Sequence, residues 1–151
     1  MHRLAVALVL AAGVAACSVV ATYPESARDA ARNRELVVAF YTTVFVKKQV
    51  AEGFARYVGP VYIQHNPRAP DGAEAAVRFL TQVTTPDSIS EIKRVVAEND
   101  LVVLHVHSRS NAQDRGRAIV DIFRVENGKI VEHWDVIQPV PEQAANINTM
   151  F

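Results

Sequence analysis

Apolar positions along the chain recur first at helical spacing and then, from Ile89 onward, at every second residue. Over Asp29 to Val46 the residues Val37, Phe40, Tyr41, Val44 and Phe45 lie on one helical face, while Arg32, Arg34 and Glu35 mark a solvated end. Pro24 and Ser26 precede this pattern, and Asp29 follows Ser26 in capping-box spacing. The spacing predicts a second helix over Lys48 to Tyr57, with Val50 and Phe54 inward, until Gly59-Pro60 breaks it. Asp71 with Glu74 repeats the capping signal ahead of a third stripe, Ala76, Val77, Leu80 and Val83, which stops before Pro86. Between them Val61 to Asn66 reads as a short extended piece, because Pro67 excludes helical dihedrals at Asn66.

The later pattern predicts strands. Ile89 to Glu98 and Leu101 to Ser108 join at Asn99-Asp100, and a two-residue turn there pairs Val96 with Val103, Arg94 with His105 and Ile92 with His107. One face, Val95, Ala97, Val102, Leu104 and Val106, is almost wholly apolar and should pack on the helices, which turns His105 and His107 away from them. The strongest local signal is the run from Ile119 to Gln138. Two β-branched and aromatic segments flank Asn127-Gly128, a pair suited to the positive φ of a type I′ turn. Strict alternation from that turn sets Val125 opposite Ile130, Phe123 opposite Glu132 and Asp121 opposite Trp134, all on one face. His133 and Asp135 then fall on the other face. Helices followed by antiparallel strands imply an α+β fold, with helices on one side of a curved sheet.

Charge narrows the partners. Sixteen basic residues balance sixteen acidic ones, and no basic run or aromatic-basic interleaving occurs, which argues against nucleic acid. Met1 to Cys17 has a short positive start at His2 and Arg3, then an apolar run from Leu4 to Val14, too short for an ordinary membrane span. A cleaved export signal over residues 1–16 is the expectation. Val14-Ala15-Ala16-Cys17 resembles a bacterial lipoprotein cleavage box, in which Cys17, the only cysteine, is the lipidated residue. An ordinary signal peptide cleaved near the same alanines is the alternative. Loss of residues 1–16 removes Arg3 and no acid, leaving 15 basic against 16 acidic residues, a net charge of about −1. The remaining length suits one domain.

The chemistry centres on Asp121. A carboxylate among Ile119, Phe123, Val125, Ile130, Trp134 and Val136 loses hydration, which raises its pKa toward the range of a general base. The run VDIFRVENGKIVEHWDVIQ, together with YIQHNP and a following Asp71-Gly72, resembles the SnoaL-like proteins of the nuclear transport factor 2-like superfamily. The resemblance spans about Glu35 to Pro141 and divides the chain into a signal (1–16), a tether (17–28), a SnoaL-like domain (29–141) and a tail (142–151). It implies a cone of three N-terminal helices on a curved antiparallel sheet, with an apolar cavity between the layers and often a homodimer through the outer sheet face.

The resemblance also implies roles. A histidine and an aspartate from neighbouring strands line the family's cavity, and His107 with Asp121 is the pair that fits, against the parity argument above; His65 matches a histidine at the cavity mouth. Trp134, Phe123, His105 and Tyr41 are the candidate substrate contacts. Asp121 would remove a proton beside a carbonyl, and His107 or His65 would donate to the enolate oxygen, giving a cofactor-independent cyclase or isomerase acting on a small hydrophobic carbonyl compound. His105, His107 and Asp121 also have the makings of a two-histidine, one-carboxylate metal site, but the resembling family generally works without metal, so none is expected. The alternative is a non-catalytic ligand-binding or interaction module, lipid-anchored in the bacterial cell envelope and touching the membrane only through that anchor.

Overall fold

The computed structural model describes residues 25–151. The expected export signal, the Cys17 lipidation position and most of the tether lie outside the described residues. Helix α1 (Glu25–Tyr41) begins four residues before the expected start and passes into a π-helical turn, Thr42–Val46. The expected single helix to Val46 is therefore interrupted. Lys48, at φ 63°, reverses the chain, and its ammonium donates to the Phe45 carbonyl (2.9 Å) and the Ser88 hydroxyl (2.8 Å). That contact satisfies a carbonyl freed at the helix end and pins the turn to the approach of the sheet. Helix α2 (Val50–Tyr57), strand β1 (Val58–Gln64) and helix α3 (Ala73–Val83) follow.

Four more strands complete the sheet: β2 (Ile89–Glu98), β3 (Leu101–Arg109), β4 (Arg117–Glu126) and β5 (Lys129–Pro139). Their order is β1-β5-β4-β3-β2, and the three hairpin-type pairings are antiparallel. Strand β1 departs from the antiparallel expectation, because it pairs with β5 in parallel after entering from α2. The apolar stripes meet as their spacing requires. Val37, Phe40 and Val44 pack on Val102, Leu104 and Val106, and Phe40 touches Phe54 and Phe123 edge to face, with ring centroids 5.4 and 5.7 Å apart. The helices therefore cover one side of a curved, unclosed sheet.

Two β-bulges decide which residues face that layer. The type I′ turn forms as expected, with Asn127 at φ 51° and Gly128 at φ 70°, and Val125 pairs with Ile130. Beyond it Val131 is an extra residue on β5, so Arg124 pairs with Glu132, Phe123 with His133, Ile122 with Trp134 and Asp121 with Asp135. A bulge bends and twists its strand, as a sheet curving around helices requires. The same happens at Lys93 on β2, where Arg94 pairs with His105 as expected but Ile92 meets Val106 and Glu91 meets His107. Each insertion exchanges inward and outward positions on the rest of its strand.

A cavity of about 270 Å³ lies between the helices and the sheet, near the lower end of the size range for small-molecule sites. Among the described residues no helix is long and apolar enough to cross a membrane.

Candidate functional site

Asp121 sits in the middle of β4, between Leu104 on β3 and Asp135 on β5, and lines the cavity with only 7% of its surface exposed. Alternation along β4 places it on the helix-facing side with Ile119 and Phe123. Its Oδ1 lies 3.1 Å from Nε2 of His133, while its Oδ2 is buried with no hydrogen-bond partner among the described residues. Burial holds the carboxyl above the usual range; the His133 hydrogen bond and charge pull the other way, and Asp135 adds to the rise.

The hydrogen bonds define the protons. Gln64, at the end of β1, accepts the Asn66 backbone N–H on Oε1 at 2.8 Å, and Nδ1 of His133 lies 2.9 Å from the same oxygen. An oxygen can only accept, so Nδ1 carries a proton. Nε2 and Oδ1 then hold one further proton between them, as imidazolium with carboxylate or as neutral imidazole with carboxylic acid. Gln64 Nε2 donates to the Tyr62 hydroxyl at 3.3 Å, and Asn66 Nδ2 donates to Asp135 Oδ2 at 2.5 Å. Tyr62, Gln64 and Asn66, two residues apart, thus bring the YIQHNP stretch onto the Asp121, His133 and Asp135 side chains of the sheet.

Two tyrosines complete the inner wall. Burial, followed by the Asp121 charge, pushes both the Tyr41 and Tyr62 hydroxyls above their ordinary range, so each remains a protonated donor. Tyr41 and Phe123, expected to contact substrate, both line the cavity.

The other candidates lie elsewhere. His107 is on the outer sheet face, where Nε2 donates to the Arg115 carbonyl at 2.8 Å and the ring stacks on Phe151 at 4.1 Å. It pairs with Ala118, an odd number of positions from Asp121, so the two side chains point to opposite faces. The cleaner apolar side of β3 won that conflict. His105 shares the outer face, accepts from Arg94 Nη1 at 2.9 Å and lies 5.5 Å from Phe151. The considered His105, His107 and Asp121 metal set is therefore split across the sheet. His65 also points away from the cavity. It bonds Glu132 at 2.8 Å and stacks on Trp134, with ring centroids 4.6 Å apart and planes 4° from parallel. Trp134 is outside because the Val131 bulge turns it there.

That bulge exchanges the expected roles of Trp134 and His133. His133 and Asp135, assigned to the outer face by strict alternation, line the cavity instead. Ligand atoms of Asp121, His133 and Asp135 lie within 4.8 Å of one another, close enough to hold a cation. Each nevertheless has a hydrogen bond within the protein, and the Nδ1-protonated imidazole bonded to a carboxyl is the donor set of a proton-transfer pair. The spacing of Tyr62, Gln64 and Asn66 was a usable signal for the β1 side of the site. Nothing comparable marks the bulge.

An apolar, helix-roofed cavity in this open sheet defines a nuclear transport factor 2-like protein. The profile of the SnoaL-like polyketide cyclase family matches residues 35–144, and the chain belongs to that family. No curated protein matches the sequence significantly. A Kribbella flavida DSM 17836 protein provisionally assigned as a ketosteroid isomerase is similar in structure, with TM-score 0.65, 17% identity and coverage of 78% of this chain and 86% of that one. A nuclear transport factor 2-like protein of unknown function from Mesorhizobium loti has TM-score 0.63, 20% identity and coverage of 77% and 97%. A provisionally assigned SnoaL-like polyketide cyclase from Jannaschia sp. CCS1 has TM-score 0.58, 21% identity and coverage of 72% and 87%. At these identities the likeness establishes the fold.

Proposed function

We propose that the chain is a cofactor-independent enzyme that moves a proton beside a carbonyl in a small hydrophobic substrate, as an isomerase or aldol-type cyclase. The observation that carries the reading is the buried Asp121–His133 pair in the cavity wall, with Asp121 Oδ2 left without a partner among the described residues. In this reading the substrate C–H bond breaks, its proton passes to the Asp121 carboxylate, and the electron pair moves onto the carbonyl oxygen. The Tyr41 hydroxyl, which lines the cavity, donates to that enolate oxygen. The enolate carbon then either recovers the proton at a new position or attacks a second carbonyl of the same molecule. Burial supports the chemistry twice: it raises the basicity of Asp121 and it strengthens each hydrogen bond to developing charge.

Two extensions belong to the proposal. Exposed Val96 and Val136, on β2 and β5, lie on the outer face that a second copy would cover in a homodimer. Export through residues 1–16 and lipidation at Cys17 would present the cavity in the cell envelope. The test of function is solvent deuterium incorporation at the α-carbon of 2-indanone, a compact enolisable ketone, followed by mass spectrometry. The expected result is exchange above the buffer rate that Asp121→Asn abolishes. Equal rates for both proteins, with 2-indanone bound by each, would replace the enzyme with a ligand-binding module. Mass spectrometry of compounds retained on purification identifies the natural ligand.

A further inference from the structure

The cavity wall differs from floor to mouth. Phe40, Phe54 and Phe123 form a buried floor with Asp121 and His133, whereas Arg68, Arg117, Ser110 and Thr85 line the same space and are exposed, which marks the opening. The acids among the lining residues are Asp121 and Asp135, both already bonded in the inner network. Among the described residues no carboxylate lines the mouth. Arg68 and Arg117 have no side-chain hydrogen bond or ion pair among the described residues, so two guanidiniums border the opening uncompensated. Arg117 starts β4 two and four residues before Ile119 and Asp121, and alternation turns it to their side. Asp114, whose carboxyl feels the Arg117 charge only as the smallest of its influences, already accepts from the Ser110 N–H, the Ser110 hydroxyl and the Gly116 N–H. Arg109 adds a third cation to the lining; its Nε is buried without an acceptor among the described residues and its Nη2 is 3.6 Å from Glu91.

We propose that the cavity takes an amphipathic carboxylate, its apolar ring or chain on the phenylalanine floor and its carboxylate at the mouth, paired with Arg117 and Arg68. The planar guanidinium fork matches a carboxylate in two parallel hydrogen bonds, and an uncompensated positive mouth raises the local concentration of anions. This rests on the function proposed above only for the reaction at Asp121. The mouth itself is a separate claim about recognition.

Isothermal titration of the full chain with 2-naphthylacetate and with its methyl ester tests it. The acid should bind about fivefold or more tightly than the ester, the effect expected of an exposed ion pair. That preference should shrink with added salt and fall to about parity in the Arg68→Gln, Arg117→Gln double variant, where ester affinity stays unchanged. Both positions are exposed, so the fold should persist, and circular dichroism checks it. An ester that binds as well as the acid overturns the inference, as does a preference that survives the double substitution or the failure of both compounds to bind at millimolar concentration. Asp121→Asn separates the two claims. If it retains the acid preference while the wild type catalyses no exchange on 2-indanone, the proposed chemistry fails and the anionic ligand stands.

Discussion

Replacing Gln64 by Leu tests the proton arrangement directly. The substitution puts an apolar side chain in place of the carboxamide and removes the oxygen that faces Nδ1 of His133 at 2.9 Å and the Asn66 N–H at 2.8 Å. Asn66 is half-buried and its N–H can turn to water, so its loss is small. His133 is 8% exposed and cannot. A buried donor or acceptor left without a partner, as Nδ1 is in either tautomer, costs about 1–3 kcal/mol, and about 2 kcal/mol is expected here. For a domain of this size that lowers the melting temperature by about 5–10 °C. The diagnostic assay is long-range proton–nitrogen correlation NMR of the His133 imidazole. In the wild type near neutral pH, Nδ1 should carry a proton and Nε2 should show an intermediate shift, from the proton shared with Asp121. In Gln64→Leu the fixed tautomer should be lost, with Nε2 becoming the protonated nitrogen and donating to the carboxylate. A wild-type spectrum with bare Nδ1 would refute the assignment. So would a Gln64→Leu spectrum identical to the wild type.

The remaining predictions use stability and titration. Burial raises the Asp121 carboxyl, so the folded state holds that proton more tightly than the unfolded one; the associated stability is present below the ordinary carboxylate range and is lost as pH rises through the folded value. Asn cannot ionise and its amide can donate to Nε2, so the melting temperature of Asp121→Asn relative to wild type should climb between acid and mildly alkaline pH; a difference independent of pH would show that this group does not titrate as described. Phe123→Ala empties the site between Phe40 and the His133 ring, whose centroid is 4.8 Å away, and should cost about 3–5 kcal/mol by chemical denaturation. A loss below about 1 kcal/mol would mean that the floor is not packed as described. Three hydrogen bonds hold the half-buried Asp114 carboxyl down at about 2, which carbon-detected NMR titration should reproduce, whereas an ordinary midpoint would mean that the Ser110 to Gly116 loop does not persist in solution.

Helix positions and turns were readable because they depend on local spacing. The stripe from Val37 to Val44 and the Asn127-Gly128 turn require only three to five residues to agree, and both appear as expected. The burial of Asp121 was readable for the same reason, since Ile119 and Phe123 beside it on β4 fix its side of the sheet. The partner of Asp121 was not readable. Alternation carried outward from the turn assumes that every residue of β5 is paired, and Val131 is not. Hydrophobicity then reinforced the error, because it favours Trp134 over His133 as the inward residue. The β-branched Val131 carries no turn residue or other compositional mark of a bulge. On β3 the opposite occurred: a pattern of Val102, Leu104 and Val106 indicated the correct face, and only the attraction of pairing His107 with Asp121 argued otherwise.

The bulge also explains how polar groups can occupy the inner face without an obvious loss of fold. A polar side chain turned toward a core is costly unless its hydrogen bonds are made there. The insertion turns His133 and Asp135 inward together, to meet Gln64 at the end of the parallel neighbour β1 and Asn66 just beyond it, so that each incoming polar residue finds a polar partner. The same insertion turns Glu132 and Trp134 outward, where Arg124 bonds Glu132 at 2.7 Å and His65 covers the indole. One inserted residue therefore builds two complementary clusters on opposite faces of one strand. The inner cluster depends on four side chains being polar at once, so a single apolar replacement strands a partner. That coupling is why Gln64, which reaches Asp121 only through its hydrogen bond to His133, governs the protons of the site.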